Sequence, residues 1–261
     1  MIEVRGLAKR FPNGHKALAD VSFRIDSGEF VCIAGRSGAG KSTLLRCLNG
    51  TVEATAGSVR VDGVDVGQAS PEERRALRAR LGFVYQEFNL VDRATVLRNV
   101  LVGRLGHAAT LPSLLGLFPR AHRELALFNL DRVRLLDRAQ QRTDSLSGGE
   151  KQRVAIARAL TQEPRVLLAD EPVASLDPEL GRGVMEDLHR AAKADAVPTL
   201  VNIHDINLAR EYADRVVGIA QGEIVFDGPP HRLDAAALDR IYRFDEPGEN
   251  HERPGSSVVA A

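Results

Sequence analysis

The stretch Gly35-Arg36-Ser37-Gly38-Ala39-Gly40-Lys41-Ser42 constrains this chain more than any other. It fits the pattern G-x-x-x-x-G-K-[ST], and its flanks agree. Before it runs Phe30-Val31-Cys32-Ile33-Ala34, apolar at every position, as expected of a strand buried on both faces. After it, residues 41–49 read as a helix closed by Gly50. Glycines let successive backbone N–H groups converge on phosphate oxygens, with no Cβ in the way. The helix N-terminus adds about half a positive charge. Lys41 supplies a full charge near the outer phosphates, and the Ser42 hydroxyl can ligate Mg²⁺.

Around this loop the sequence alternates between strand and helix patterns. Ile2 and Val4 alternate with polar neighbours, as do Val21, Phe23 and Ile25, so the first segment predicts antiparallel sheet. Val59, Val61 and Val64 around Asp62-Gly63 predict a hairpin. Ser70-Pro71-Glu72-Glu73 opens a helix with a capping box and a proline at its first position. Residues 81–85 form a short strand. Residues 87–145 lack strand alternation and read as a helical insertion, irregular over 103–119. From Ser147 the α/β alternation returns, with strands at 166–169 and 199–203, a helix from Asp177-Pro178, and a hairpin of 216–219 with 224–226. Residues 245–261, rich in Pro, Gly, Glu and Ser, read as a disordered tail.

A triphosphate site also needs a carboxylate for Mg²⁺. Val166-Leu167-Leu168-Ala169-Asp170-Glu171 brings one, Asp170, to a strand end, and Glu171 beside it can polarise an attacking water. Alone, an Asp-Glu pair would read as a solvated strand end; a phosphate loop in the same chain changes that. Leu146-Ser147-Gly148-Gly149-Glu150 opens another helix. Ser147 and Glu150 make a capping box, and the paired glycines bare backbone N–H groups at a positive helix end, a second anion site.

Composition limits the rest. Thirty-five basic and 35 acidic side chains cancel, so the broad positive field of non-specific nucleic-acid binding is missing, and no nucleic-acid partner is expected. No apolar run reaches the about 18 residues of a membrane span; residues 96–118 are interrupted by Arg98, Arg104, His107 and Pro112. The N-terminal residues lack a signal-peptide core. Cys32 and Cys47 have no metal or redox spacing and read as buried reduced thiols. A cytosolic chain follows, whose membrane role would run through a partner.

Together these motifs resemble the ATP-binding subunit of an ATP-binding-cassette (ABC) transporter. The resemblance covers nearly all of residues 1–244, in the family's order: 35–42, Gln86, 146–150, Asp170-Glu171, Ser175-Leu176-Asp177 and His204. It implies an α/β P-loop NTPase of ABC type. A RecA-like core and an antiparallel β subdomain would occupy about 1–86 and 154–244, and a helical subdomain about 87–153. It further implies ATP and Mg²⁺ as cofactors. Phe11 would stack on adenine. Gly35, Arg36, Ser37, Gly38, Ala39, Gly40, Lys41, Ser42 and Thr43 would hold the phosphates, and Ser42, Gln86 and Asp170 would serve Mg²⁺. Glu171, His204 and Gln86 would be catalytic. Ser147, Gly148, Gly149, Glu150 and Asp177 would act on nucleotide held by a second copy, head to tail. Glu150 stands where the family most often has Gln, and it suits the capping box.

Within the family, residues 99–106, 113–118, 170–178 and 224–230 are most similar to phosphonate-import ATPases. That resemblance implies permease subunits docking on the 103–118 segment. It also implies a periplasmic binding protein acting indirectly, and a peripheral place on the cytoplasmic face of the inner membrane. Alternatives are the same motor for phosphate or amino acids, an exporter, or a non-transport cassette acting on DNA or ribosomes. A P-loop kinase or GTPase would leave Ser147-Gly148-Gly149 and His204 unexplained.

Overall fold

The computed structural model describes residues 1–108, 112–113 and 116–242. The tail expected at 245–261 and part of the 103–118 segment lie outside the described residues. Strands β1 (Ile2–Arg10) and β2 (Lys16–Ile25) pair antiparallel, and β1 also pairs with β4 (Ala56–Val61), which turns back into β5 (Val64–Asp65). Val4 therefore faces both Phe23 and Val59, and the alternating apolar residues of all three strands share one buried face. At the β4–β5 turn, Asp62 and Gly63 both take positive φ, the requirement of the tightest hairpin turn.

The second sheet runs β10 (Glu223–Gly228), β9 (Arg215–Ala220), β3 (Phe30–Ala34), β8 (Thr199–Asn202), β7 (Val166–Asp170), β6 (Leu81–Val84). All neighbours are parallel except β10–β9. Each position of β3 is buried because successive residues face different cores. Val31 and Ile33 meet the four-stranded sheet, while Phe30, Cys32 and Ala34 meet the helices. Burial pushes the Cys32 thiol up to about 12 and the Cys47 thiol to about 11, so both stay uncharged.

The helices follow their caps. α1 (Lys41–Leu48) starts at Gly40 and ends at Asn49. α2 (Pro71–Ala79) has the full Ser70–Glu73 capping box. α3 (Val96–Leu101) is capped by Thr95 and tied by Asn99, whose amide donates to Thr143 and Val91. α4 (Arg120–Arg132) packs with α3 against α5 (Gly148–Thr161). α6 (Pro178–Ala194), α7 (Ile206–Tyr212) and α8 (Ala235–Tyr242) follow. The apolar residues of α3, α4 and α5 belong to the same core as the helix-facing side of the six-stranded sheet. Residues 153 and 154, where core and helical part would divide, both lie within the single helix α5.

Asp187 on α6 is fully buried, yet it binds three cations. Arg153 of α5 approaches at 2.9 Å, Arg190 at 2.7 Å, and Arg134, just beyond α4, at 3.4 Å. One carboxylate thus joins three parts of the helical layer. Asp187→Asn keeps the shape and removes the charge. It is expected to lower unfolding free energy by about 1.5–3 kcal/mol, the usual range for hydrogen bonds to charged groups. A urea titration followed by circular dichroism measures this.

Candidate active site

The parallel strands end along one edge of the sheet, where α/β proteins bind ligands. The loop after β3 is held open there by close packing. A Cβ on Gly40, whose φ is +105°, would lie 2.3 Å from the Ala17 carbonyl of β2, so only glycine fits. Lys41 is 4% exposed, and its Nζ donates to the carbonyls of Gly35 (2.7 Å) and Arg36 (2.8 Å). Burial pushes its ammonium below the ordinary value, while Glu171 and Asp170 pull it back up. Arg36 also donates to the Tyr242 carbonyl at 3.5 Å, so the last turn of α8 borders the loop. Ser37, Gly38 and Ala39 line the same small cleft against α8, and Thr43 is half-buried on the first turn of α1.

Across the edge, Ser42 Oγ donates to Asp170 Oδ1 at 2.9 Å. Two hard oxygen donors side by side suit Mg²⁺, which takes one or two protein ligands together with substrate phosphates. Among the described residues no group of three or more His, Cys, Asp and Glu gathers to hold a metal unaided. Glu171 follows with φ +50°, a backbone that non-glycine residues rarely adopt. That turn separates its carboxylate from that of Asp170. His204, just past β8, donates from Nε2 to Glu171 Oε1 at 2.5 Å. With Leu176 and Asp177 they line a cleft of ≈ 220 Å³.

The remaining expected residues lie apart from this group. Phe11 is half-buried in the β1–β2 turn, 6.3 Å from the His15 ring and nearly parallel to it, with Lys9 5.1 Å from its centroid. Gln86 is exposed two residues past the end of β6. Ser147 caps α5: its Oγ accepts from the Glu150 N–H at 3.4 Å, while Glu150 Oε2 accepts from the Ser147 N–H at 2.8 Å. The Ser147 backbone and hydroxyl hold Glu150 below the usual carboxylate range. Gly148 lies against Leu176 and Phe88, and Gly149 against Leu180. Asp177 Oδ1 accepts from Leu180 N at 3.0 Å and caps α6.

Three residues that the sequence reading passed over matter here. Arg158 of α5 donates to the carbonyls of Phe88 and Asn89, and Gln152 of α5 to that of Tyr85. The segment around Gln86 is thus tied to the helix that Ser147 begins. Asn202, at the end of β8, donates to Asp170 Oδ1 at 2.6 Å. Its signal was an asparagine closing a strand whose every residue is buried.

The chain belongs to the ABC transporter family, whose model matches residues 18–174. It is 48% identical to the "Phosphonates import ATP-binding protein PhnC" of Shouchella clausii, over 96% of this chain and 99% of that protein. It is also 48% identical to the PhnC 3 protein of Halalkalibacterium halodurans, over 93% and 94%. Among solved structures, it resembles the dimeric post-hydrolysis state of the ATP-binding cassette MJ0796 bound to ADP and Pi. The TM-score is 0.76 with 33% identity, over 88% of this chain and 99% of that one. The ADP conformation of the cassette MJ1267 superposes with a TM-score of 0.80 at 25% identity, over 92% and 97%.

Glu171→Gln keeps side-chain size and one acceptor oxygen but removes the carboxylate, which is expected to act as base. Nucleotide affinity is expected to stay within about threefold, while turnover falls by about 10²–10³-fold. Equilibrium nucleotide binding and single-turnover hydrolysis, measured on the same preparation, separate the two.

Proposed function

We propose that this chain is the ATP-hydrolysing subunit of a phosphonate importer, acting as a pair of cassettes that enclose nucleotide between them. The observation that carries the cargo is the near full-length likeness to proteins named as phosphonate importers. The fold and the family supply the motor.

The chain is read as one cassette over 1–244, with the helical part at about 87–153. Its site residues form two sets. In the first, the loop 35–42 with Thr43 cradles the phosphates, and Lys41 neutralises their charge. Phe11 offers its ring to the base. Ser42, Asp170 and Gln86 hold Mg²⁺, which when bound draws charge from the phosphate oxygens. Glu171 takes a proton from the attacking water, and His204 orients that carboxylate and reaches toward the terminal phosphate. In the second set, Ser147, Gly148 and Gly149 present a helix N-terminus. Glu150 and Asp177 cap their own helices, which shapes the surface offered to the other copy. The second set serves nucleotide held by the partner copy, which explains why one chain carries two anion-binding helix ends. Nucleotide binds the closed pair better than the open one, and that differential affinity supplies the conformational work.

A groove of ≈ 270 Å³ lies beside Gln86, lined by Phe83, Tyr85, Val102, Gly103 and Arg158. Tyr85 is 40% and Val102 39% exposed, so apolar surface is available to a permease segment. Arg158 lines this groove and also grips Phe88 and Asn89, so a push there reaches α5 and Ser147. Among the described residues no helix is long and apolar enough to cross a membrane. By its likeness to phosphonate-import ATP-binding proteins, the chain is read as a peripheral subunit on the cytoplasmic face, with a periplasmic binding protein delivering solute to the permease.

Two outcomes test this. In Gly149→Asp, the three atoms nearest the new Cβ all belong to Leu180, the nearest at 3.7 Å. A negative charge in the first turn suits the helix dipole, which offsets part of the cost of placing it at a buried position; thermal unfolding of the single chain measures the remainder. The same charge repels phosphate, and ATP-driven dimerisation seen by size-exclusion chromatography should disappear. For the cargo, the chain co-purified with its permease and supplied with the matching binding protein should hydrolyse ATP faster when phosphonate is added. Stimulation by a different solute alone would replace the cargo and keep the motor.

A further inference from the structure

Asn202 ends β8, paired in register with Asp170 of β7 on one side and Ile33 of β3 on the other. It is fully buried at the centre of a parallel sheet, where β-branched and apolar residues are favoured and a buried amide is costly unless bonded. Its Nδ2 donates to Asp170 Oδ1 at 2.6 Å and also lies 3.4 Å from Ser42 Oγ. Ser42 donates to the same Oδ1, so the three polar groups close a triangle. Its main-chain carbonyl accepts the Glu171 N–H at 3.1 Å, at the residue whose φ is +50°. One residue thus grips both acidic positions, Asp170 by side chain and Glu171 by backbone. Its own Oδ1 is buried with no hydrogen-bond partner. Leucine would fill the same volume without burying an unpaired acceptor, so packing alone does not account for an asparagine here.

We propose that Asn202 is a positioning residue for the metal carboxylate. Its amide holds Asp170 in one rotamer, with Oδ1 turned to Ser42, so that the two Mg²⁺-directed oxygens keep their spacing before nucleotide arrives. The inference rests on Asp170 and Ser42 being the Mg²⁺ residues. It adds a partner behind them, of the kind that orients ligands in metal sites.

The test uses the whole chain and two variants. Asn202→Leu removes the donor at constant size. ATP affinity in EDTA should stay within about twofold of the parent, and the affinity gained on adding Mg²⁺ should shrink about tenfold. The Mg²⁺ concentration for half-maximal hydrolysis should rise by a similar factor. Asp170→Asn is the control. If it abolishes the Mg²⁺ response while Asn202→Leu keeps the parent's, the positioning role is overturned and the metal reading stands. If Asp170→Asn leaves the response intact, the metal reading itself fails. Equal loss of ATP binding with and without Mg²⁺, together with a lower Tm, would make Asn202 a strand residue only and also overturn the proposal.

Discussion

The hydrogen bond from Ser42 to Asp170 spans the edge on which the whole structure converges. It joins the first turn of α1 to the end of β7, two points 128 residues apart in sequence. Short parallel strands must carry both ends to the same height, and the β3–β8–β7 register does so. Everything layered on those strands serves to keep that register. Each central strand is apolar on both sides because it faces two cores, and a slip of one residue would exchange every side chain between them.

The helix α5 is the second organising element. Its first turn presents Ser147 and the paired glycines, its middle holds Tyr85 and Phe88–Asn89 through Gln152 and Arg158, and Arg153 anchors it to Asp187 of α6. One rigid rod therefore touches the exposed segment around Gln86, the surface that would meet a second copy, and the helix that begins at Asp177. A motion entering through the groove at Tyr85 and Val102 has a packed route to the helix end at Ser147.

Much of this was legible in residue order. The phosphate loop, the Ser70 and Ser147 capping boxes, the Asp177 cap and the Asp62-Gly63 hairpin are local devices. Each needs only a few neighbouring residues to decide its conformation, and each is found where the sequence predicts it. Some differences lie at ends: the strand predicted at 81–85 stops at Val84, and Asn49 caps α1 instead of extending it; the helices α7 and α8 have no counterpart among the predicted elements. Among the described residues of the 87–145 insertion, α3 and α4 are helical and one isolated bridge joins Thr95 to Arg142. Asn202 showed only as a polar residue within a strand, and Arg158 and Asp187 not at all. Their importance lies in partners 32, 69 to 70 and 34 residues away, which no local pattern names.

By itself, then, the sequence determined which chemistry is present: a phosphate cradle, two adjacent carboxylates, a histidine and a second anion-binding helix end. Backbone freedom, capping and charge are set by residue type and near neighbours, so they can be read in one dimension. Only the tertiary structure decided which of these groups meet. It puts Ser42 on Asp170 and His204 on Glu171, while Ser147 and Glu150 cap their own helix and Gln86 stands in the open. Strand order and register made that choice, because they are fixed by the burial of two cores together and not by any one segment.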